Sequence, residues 1–184
     1  NLLLMSARQS EAVATLANSN LTLFPAAAIC ARTAFEGWVI AHWLLYPDDA
    51  YEQEARYLTY VSEEEWERKR SVKRGWDIDG FDLVESIDLE LFREQSASKL
   101  PSTVEVGSRL PRIEDMLKEI GLENYYQQYA RLSAYAHNSH SITGFFRMQQ
   151  SMASDPLQVA KYCLTEFSFS MILAYKVMST TVQM

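Results

Sequence analysis

Arg131, Ser133, His137 and Asn138 lie close together in residues 129–138, a stretch that reads as helix among otherwise apolar segments. The chain has three histidines, His42, His137 and His140, and two of them sit at or just beyond this stretch. An arginine offers a planar fork of donors suited to phosphate or carboxylate. A histidine moves protons near neutral pH. The catalytic expectation therefore gives Arg131 an anionic group and His137 the proton transfer, with Ser133 or Asn138 orienting it. The alternative makes Arg131 an ion-pair residue and His137 a helix-end residue, a place where the helix dipole favours histidine.

Helical spacing puts Leu122, Tyr125, Tyr129, Leu132 and Ala136 in one stripe, expected to face the core. Tyr126, Ser133 and His137 form a neighbouring stripe, and Arg131, Tyr135 and Asn138 a third. Arg131 and His137 thus do not share a face of an ideal helix. They meet only if both turn toward one cleft or if the helix ends near His137, which the run from Asn138 to Ser141 favours.

A second constellation is Arg32 and Glu36, four residues apart and adjacent on one helix face. Ile29, Phe35, Val39, Ile40 and Trp43 surround that face. A charged pair in an apolar stripe is costly unless paired and hydrogen-bonded. The pair is either an interior lock between helices, with Glu36 reaching Arg131 or His137, or an intrahelical ion pair at the stripe's edge. His137 and His140 offer two imidazoles, but no Glu-x-x-His pair accompanies them. There is no Gly-rich phosphate loop, CxxC pair or Gly-x-Ser-x-Gly elbow either. No metal site and no cofactor are expected.

The elements that would carry these residues read as helices. Expected spans are 1–18, 23–46 with Pro25 in its first turn, 49–74, 82–95, 111–120 closed by Gly121, 123–138, and a long apolar helix from Asp155-Pro156 to about 179. Residues 96–109 read as loop, and 75–110 as an irregular insertion or linker. In the 49–74 helix acids precede bases, complementing the dipole, so its basic end (Arg68, Lys69, Arg70, Lys73, Arg74) reads as a solvated helix terminus. The expected architecture is all-α, an up-and-down helical bundle of about five to seven helices in one domain over 1–184.

Composition agrees. Hydrophobic residues make up 48% of 184, enough for a real core, and six Gly with five Pro are few for a turn-rich β fold. A net charge of −7 argues against broad nonspecific nucleic-acid binding. Cys30 and Cys163 suit free thiols in a reducing, cytoplasmic setting, although a disulfide between helices is open. No apolar run is long enough to span a membrane, and the start lacks the basic region of a signal peptide. Residue 1 is Asn, as in a trimmed or excised piece.

Two segments together resemble a family of uncharacterised bacterial helical proteins. One is Arg32-x-x-x-Glu36 with the following Trp38 and Trp43. The other is Tyr129-x-x-Leu132-Ser133-x-x-x-His137. The resemblance spans roughly 22–145 and implies that Arg32, Glu36, Ser133 and His137 cluster in the bundle. The spacing of Arg131 and His137 is also similar to the Arg-then-His motif of the HEPN superfamily. Those helical bundles include metal-independent ribonucleases of toxin and phage-defence systems, with sites formed across a dimer, and inactive binding modules. The resemblance implies a HEPN-like homodimer acting on RNA, with Arg131 on the scissile phosphate and His137 as acid/base. The competing expectation is a non-catalytic module binding a partner protein or small ligand through a polar network of Arg32, Glu36, Ser133 and His137.

Overall fold

The computed structural model describes residues 1–19, 23–74, 89–137, 147 and 155–181. It is all-α, with no strand among the described residues. The helices are α1 (Leu2–Ser19), α2 (Phe24–Leu45), α3 (Ala50–Lys73), α4 (Leu89–Ala97), α5 (Ile113–Glu119), α6 (Tyr126–Ala136) and α7 (Pro156–Thr181). A 3₁₀ turn (Glu123–Tyr125) leads into α6.

Local chemistry sets these boundaries. The Asp49 carboxylate accepts from the backbone N–H of Tyr51 at 2.8 Å and of Glu52 at 3.0 Å, capping α3. Asp155 does the same for α7 through Gln158 N–H at 3.2 Å, ahead of Pro156. Gly121 ends the α5 segment with φ +70°, a left-handed conformation that costs glycine little. The helix expected at 82–95 is described only from Leu89 and ends later, at Ala97.

Contacts divide the chain into two compact units. The first comprises Asn1–His42 and Ile113–Met184. Here α1 packs along α7, while α6 packs on α5, the 3₁₀ turn and α7. Its core holds Val13, Phe24, Phe35, Trp38, Val39, Leu132, Leu173 and Val177, all almost fully buried. The buried face of α2 runs through Ala27, Ala28, Ala31 and Ala34 rather than through Ile29, which is exposed. Small side chains let neighbouring helices approach closely, and the larger Phe24, Phe35, Trp38 and Val39 of the same helix are buried beside them. On α1, Ser6 and Ser10 are buried, and their hydroxyls donate to the carbonyls of Leu2 and Ser6, each at 2.9 Å.

The second unit is Trp43–Arg112, where α3 packs on α4. Arg56 Nη1 donates to the Trp43 carbonyl at 2.7 Å and its guanidinium lies 4.8 Å from the Trp43 ring centroid. Gly107 N–H donates to Thr59 Oγ1 at 2.9 Å, tying the loop after α4 to α3. At the basic end of α3, Arg70 lies over the Trp66 ring at 5.1 Å, and Arg109 lies over the same ring at 4.7 Å.

Candidate functional site

Four polar side chains meet where α2 faces α6, within the first unit. Phe35 anchors the meeting: it is fully buried on α2, with its ring 6.0 Å from that of Tyr125 and 6.3 Å from that of Tyr129. Phe24 meets Tyr135 edge-on at 5.5 Å. This aromatic packing fixes the register of the two helices. It sets Arg32 and Glu36, at the border of the α2 stripe, against Tyr129 and Ser133.

The resulting network is closed on three sides. Arg32 Nε donates to Ser133 Oγ at 3.1 Å. Arg32 Nη2 lies 3.1 Å from Glu36 Oε2 and donates to Tyr129 Oη at 3.5 Å. The Tyr129 hydroxyl donates in turn to Glu36 Oε1 at 3.4 Å. The Arg32 guanidinium also lies 5.7 Å from the Tyr129 ring centroid. The side chains of Arg32 and Glu36 are 20% and 31% exposed, so the pair is neither fully desolvated nor freely hydrated. Arg32 Nη1 donates to no described residue.

Arg32, Glu36 and Ser133 are thus brought together. Tyr129 joins them; its ring was expected in the core stripe, and its hydroxyl turns out to hold the ion pair. The sign was present in the sequence, since Tyr129 lies four residues before Ser133 on the same helix. Glu36 takes Arg32 and Tyr129 as partners, not Arg131 or His137. Arg131 is exposed, and two positions before Ser133 its side chain leaves the helix about 160° away from that of Ser133.

His137 is also exposed and closes α6: its φ of −99° and ψ of 12° leave the helix, and its N–H donates to the Ser133 carbonyl at 3.2 Å. The early end expected near His137 is therefore present. Arg131 and His137 still leave the helix about 120° apart, so one protomer's α6 does not aim them at one point. Tyr135 belongs to the buried face with Leu132, not to a stripe with Arg131. Asn138 and His140 lie outside the described residues.

A second cluster occupies the same unit. The His42 ring stacks on Trp38 at 5.3 Å and 15°. The Lys176 ammonium on α7 lies 5.9 Å from the Trp38 centroid and 5.8 Å from that of Tyr125. Burial, followed by the nearby Lys176 charge, holds His42 below the ordinary imidazole value. Cys30 and Cys163 are not joined in a disulfide, and burial pushes the Cys30 thiol up. Among the described residues no three His, Cys, Asp or Glu side chains are grouped closely enough to share a metal ion. No helix among them is long and apolar enough to cross a membrane.

The model of a family of unknown function, DUF5677, matches residues 1–153. The chain belongs to the DUF5677 family. The match takes in α1 through α6, and so every member of the Arg32 network, while α7 lies beyond the matched residues. No curated protein and no solved structure matches the DUF5677 chain significantly.

Proposed function

We propose that this DUF5677 protein is a non-catalytic recognition module that receives the carboxylate of a small ligand at Arg32. The observation that carries the reading is the division of labour on one guanidinium. Nε and Nη2 are held by Ser133, Glu36 and Tyr129, while Nη1 is left to an outside acceptor. Glu36, 3.1 Å from Nη2, offsets most of the arginine's charge. A dianionic phosphate would feel that carboxylate strongly, whereas a monoanionic carboxylate accepting from Nη1 meets less repulsion. The half-buried rings of Tyr126 and Tyr129, 6.3 Å apart, suit an apolar body behind that carboxylate.

The test is calorimetric titration with benzoate, hydrocinnamate and inorganic phosphate on native protein and Arg32→Lys. Arg32→Lys keeps the charge and loses the fork. Binding of a carboxylate that weakens at least about tenfold in Arg32→Lys supports the reading. Absence of heat with both carboxylates, or equal binding by the variant, overturns it.

The exposure of His137 and Arg131 on α6 favours a second reading. In it the protein is a HEPN-like, metal-independent ribonuclease of a bacterial stress or defence system, working in the cytoplasm as a homodimer. Because the two side chains diverge around α6, the dimer would have to pair Arg131 of one copy with His137 of the other. Cleavage of a mixed single-stranded RNA pool without metal, lost in both Arg131→Ala and His137→Ala, would support it. No cleavage by native protein would remove it.

A further inference from the structure

Helix α7 carries two apolar faces, and only one is covered. Cys163, Ser170, Leu173, Ala174 and Val177 are buried and form its inner face. Leu164, Met171, Ile172, Tyr175 and Met178 are apolar and lie open: Tyr175 is 73% exposed, Leu164 55%, and the least open, Met178, 36%. A helix that is apolar on both sides normally has both sides buried. The apolar character of this segment was legible in the sequence, but the sequence did not say which residues stay outside.

The spacing of the open residues is informative. Leu164, Ser168, Met171, Tyr175 and Met178 follow one another at intervals of four, three, four and three. This is the alternation of a heptad seam, in which side chains of one helix seat between those of a second. The seam spans roughly 21 Å of helix, and Ile172 widens it on one side.

We propose that this face of α7 pairs with the same face of a second copy of the chain, across a two-fold axis near Met171. Two observations favour a second copy. First, from Leu164 to Met178 the seam positions and Ile172 carry no charged residue, so this stretch meets itself without like-charge contact, while Lys161 continues the seam only at its end, where an antiparallel pairing keeps the two ammonium groups apart. Second, the open side chains present on the order of 450 Å² per copy, on a scale of 150–250 Å² for a large side chain. Two such faces, with the exposed Lys161 and Thr165 at the rim, approach the roughly 1,000 Å² that a specific interface requires. Met171 is the midpoint of Leu164–Met178, so this pairing would bring it against its own mate whether the helices run parallel or antiparallel.

The test measures mass by sedimentation and light scattering, with two variants. Native protein is expected at twice the chain mass at about 100 μM, well above a micromolar Kd. The double variant Leu164→Glu/Tyr175→Glu is expected at the single-chain mass with an unchanged circular dichroism spectrum, since both positions are exposed. Met171→Cys is expected to form an intermolecular disulfide in air that the native chain, with its own Cys30 and Cys163, does not form. Native protein at the single-chain mass overturns the proposal and leaves the seam to a different partner or to another segment. A dimer that survives in the folded double variant also overturns it, placing the contact elsewhere. If the double variant does not fold, Met171→Cys decides: a cross-linked dimer supports the seam and its absence overturns it.

Discussion

Arg32 Nε and Ser133 Oγ stand 3.1 Å apart across 101 residues of chain. That one bond joins the two sequence motifs that looked informative separately. It also makes the Arg32 guanidinium a positively charged group held in place by the fold. Replacing Ser133 with Ala removes the acceptor and leaves a partly buried N–H facing a methyl group. The expected loss is about 1 kcal/mol, because a hydrogen bond from a charged donor is worth more than a neutral one but this site is partly open to water. Urea denaturation checks it through a lower midpoint with an unchanged slope.

The ion pair and the tyrosine should be coupled. Arg32→Ala strands Glu36 and the Tyr129 hydroxyl together, and is expected to cost about 2 kcal/mol. Glu36→Gln and Tyr129→Phe should each cost less, near 1 kcal/mol, since Arg32 keeps its other partners. In a double-mutant cycle, Glu36→Gln and Tyr129→Phe should fall short of additivity by about 0.5 kcal/mol or more, because each hydroxyl–carboxylate bond can be lost only once. Strict additivity would mean that the 3.4 Å contact between Tyr129 and Glu36 carries no energy.

His42 gives the fold a pH dependence of definite sign. Its pKa is lowered in the folded protein, first by burial and then by Lys176, from an unfolded value of 6.5. Above 6.5 the imidazole is neutral in both states and its contribution to stability is fully present. As pH falls below that value the unfolded state takes up the proton first, so stability declines until the folded-state value is passed. Thermal midpoints between pH 7.5 and pH 5 should therefore fall more for native protein than for His42→Gln, a comparison that subtracts the carboxylates. Lys176→Met should raise the His42 titration midpoint in an NMR pH series, though only part of the way, because burial is the larger cause.

Much of the secondary structure was legible because its punctuation is chemical. Pro25, Gly121 and the Asp155-Pro156 pair mark ends that the structure places within a residue or two of expectation. From spacing, Arg32 and Glu36 were legible as a charged pair in an apolar stripe that needs partners; that Ser133 stands with them was implied only by the family resemblance, which set His137 there too. The role of Tyr129 was missed although its place four residues before Ser133 signalled it, since a tyrosine satisfies a core stripe with its ring and a polar network with its hydroxyl at once. The open face of α7 was hidden for a related reason. Periodicity identifies an apolar face, but which of two faces is covered depends on where α1 and α6 pack, and that is set by residues far away in the chain.

Gly37 shows how tightly α2 is fitted to its neighbour. A Cβ at this position would stand 2.8 Å from Ser6 Oγ and 3.9 Å from the Leu2 carbonyl on α1. The Ser6 hydroxyl already donates to that carbonyl at 2.9 Å and cannot swing aside without losing the bond. On an isolated helix Gly→Ala would stabilise by about 1 kcal/mol. Here Gly37→Ala is expected to destabilise by about 1–2 kcal/mol, as overpacking in a well-filled interior does. Ser6→Ala removes the obstructing oxygen, so Ser6→Ala/Gly37→Ala should be more stable than Gly37→Ala alone. Thermal denaturation of the three variants distinguishes the cases: if the double variant unfolds at or below the midpoint of Gly37→Ala, the strain lies in the backbone approach of α1 and not in the Ser6 side chain.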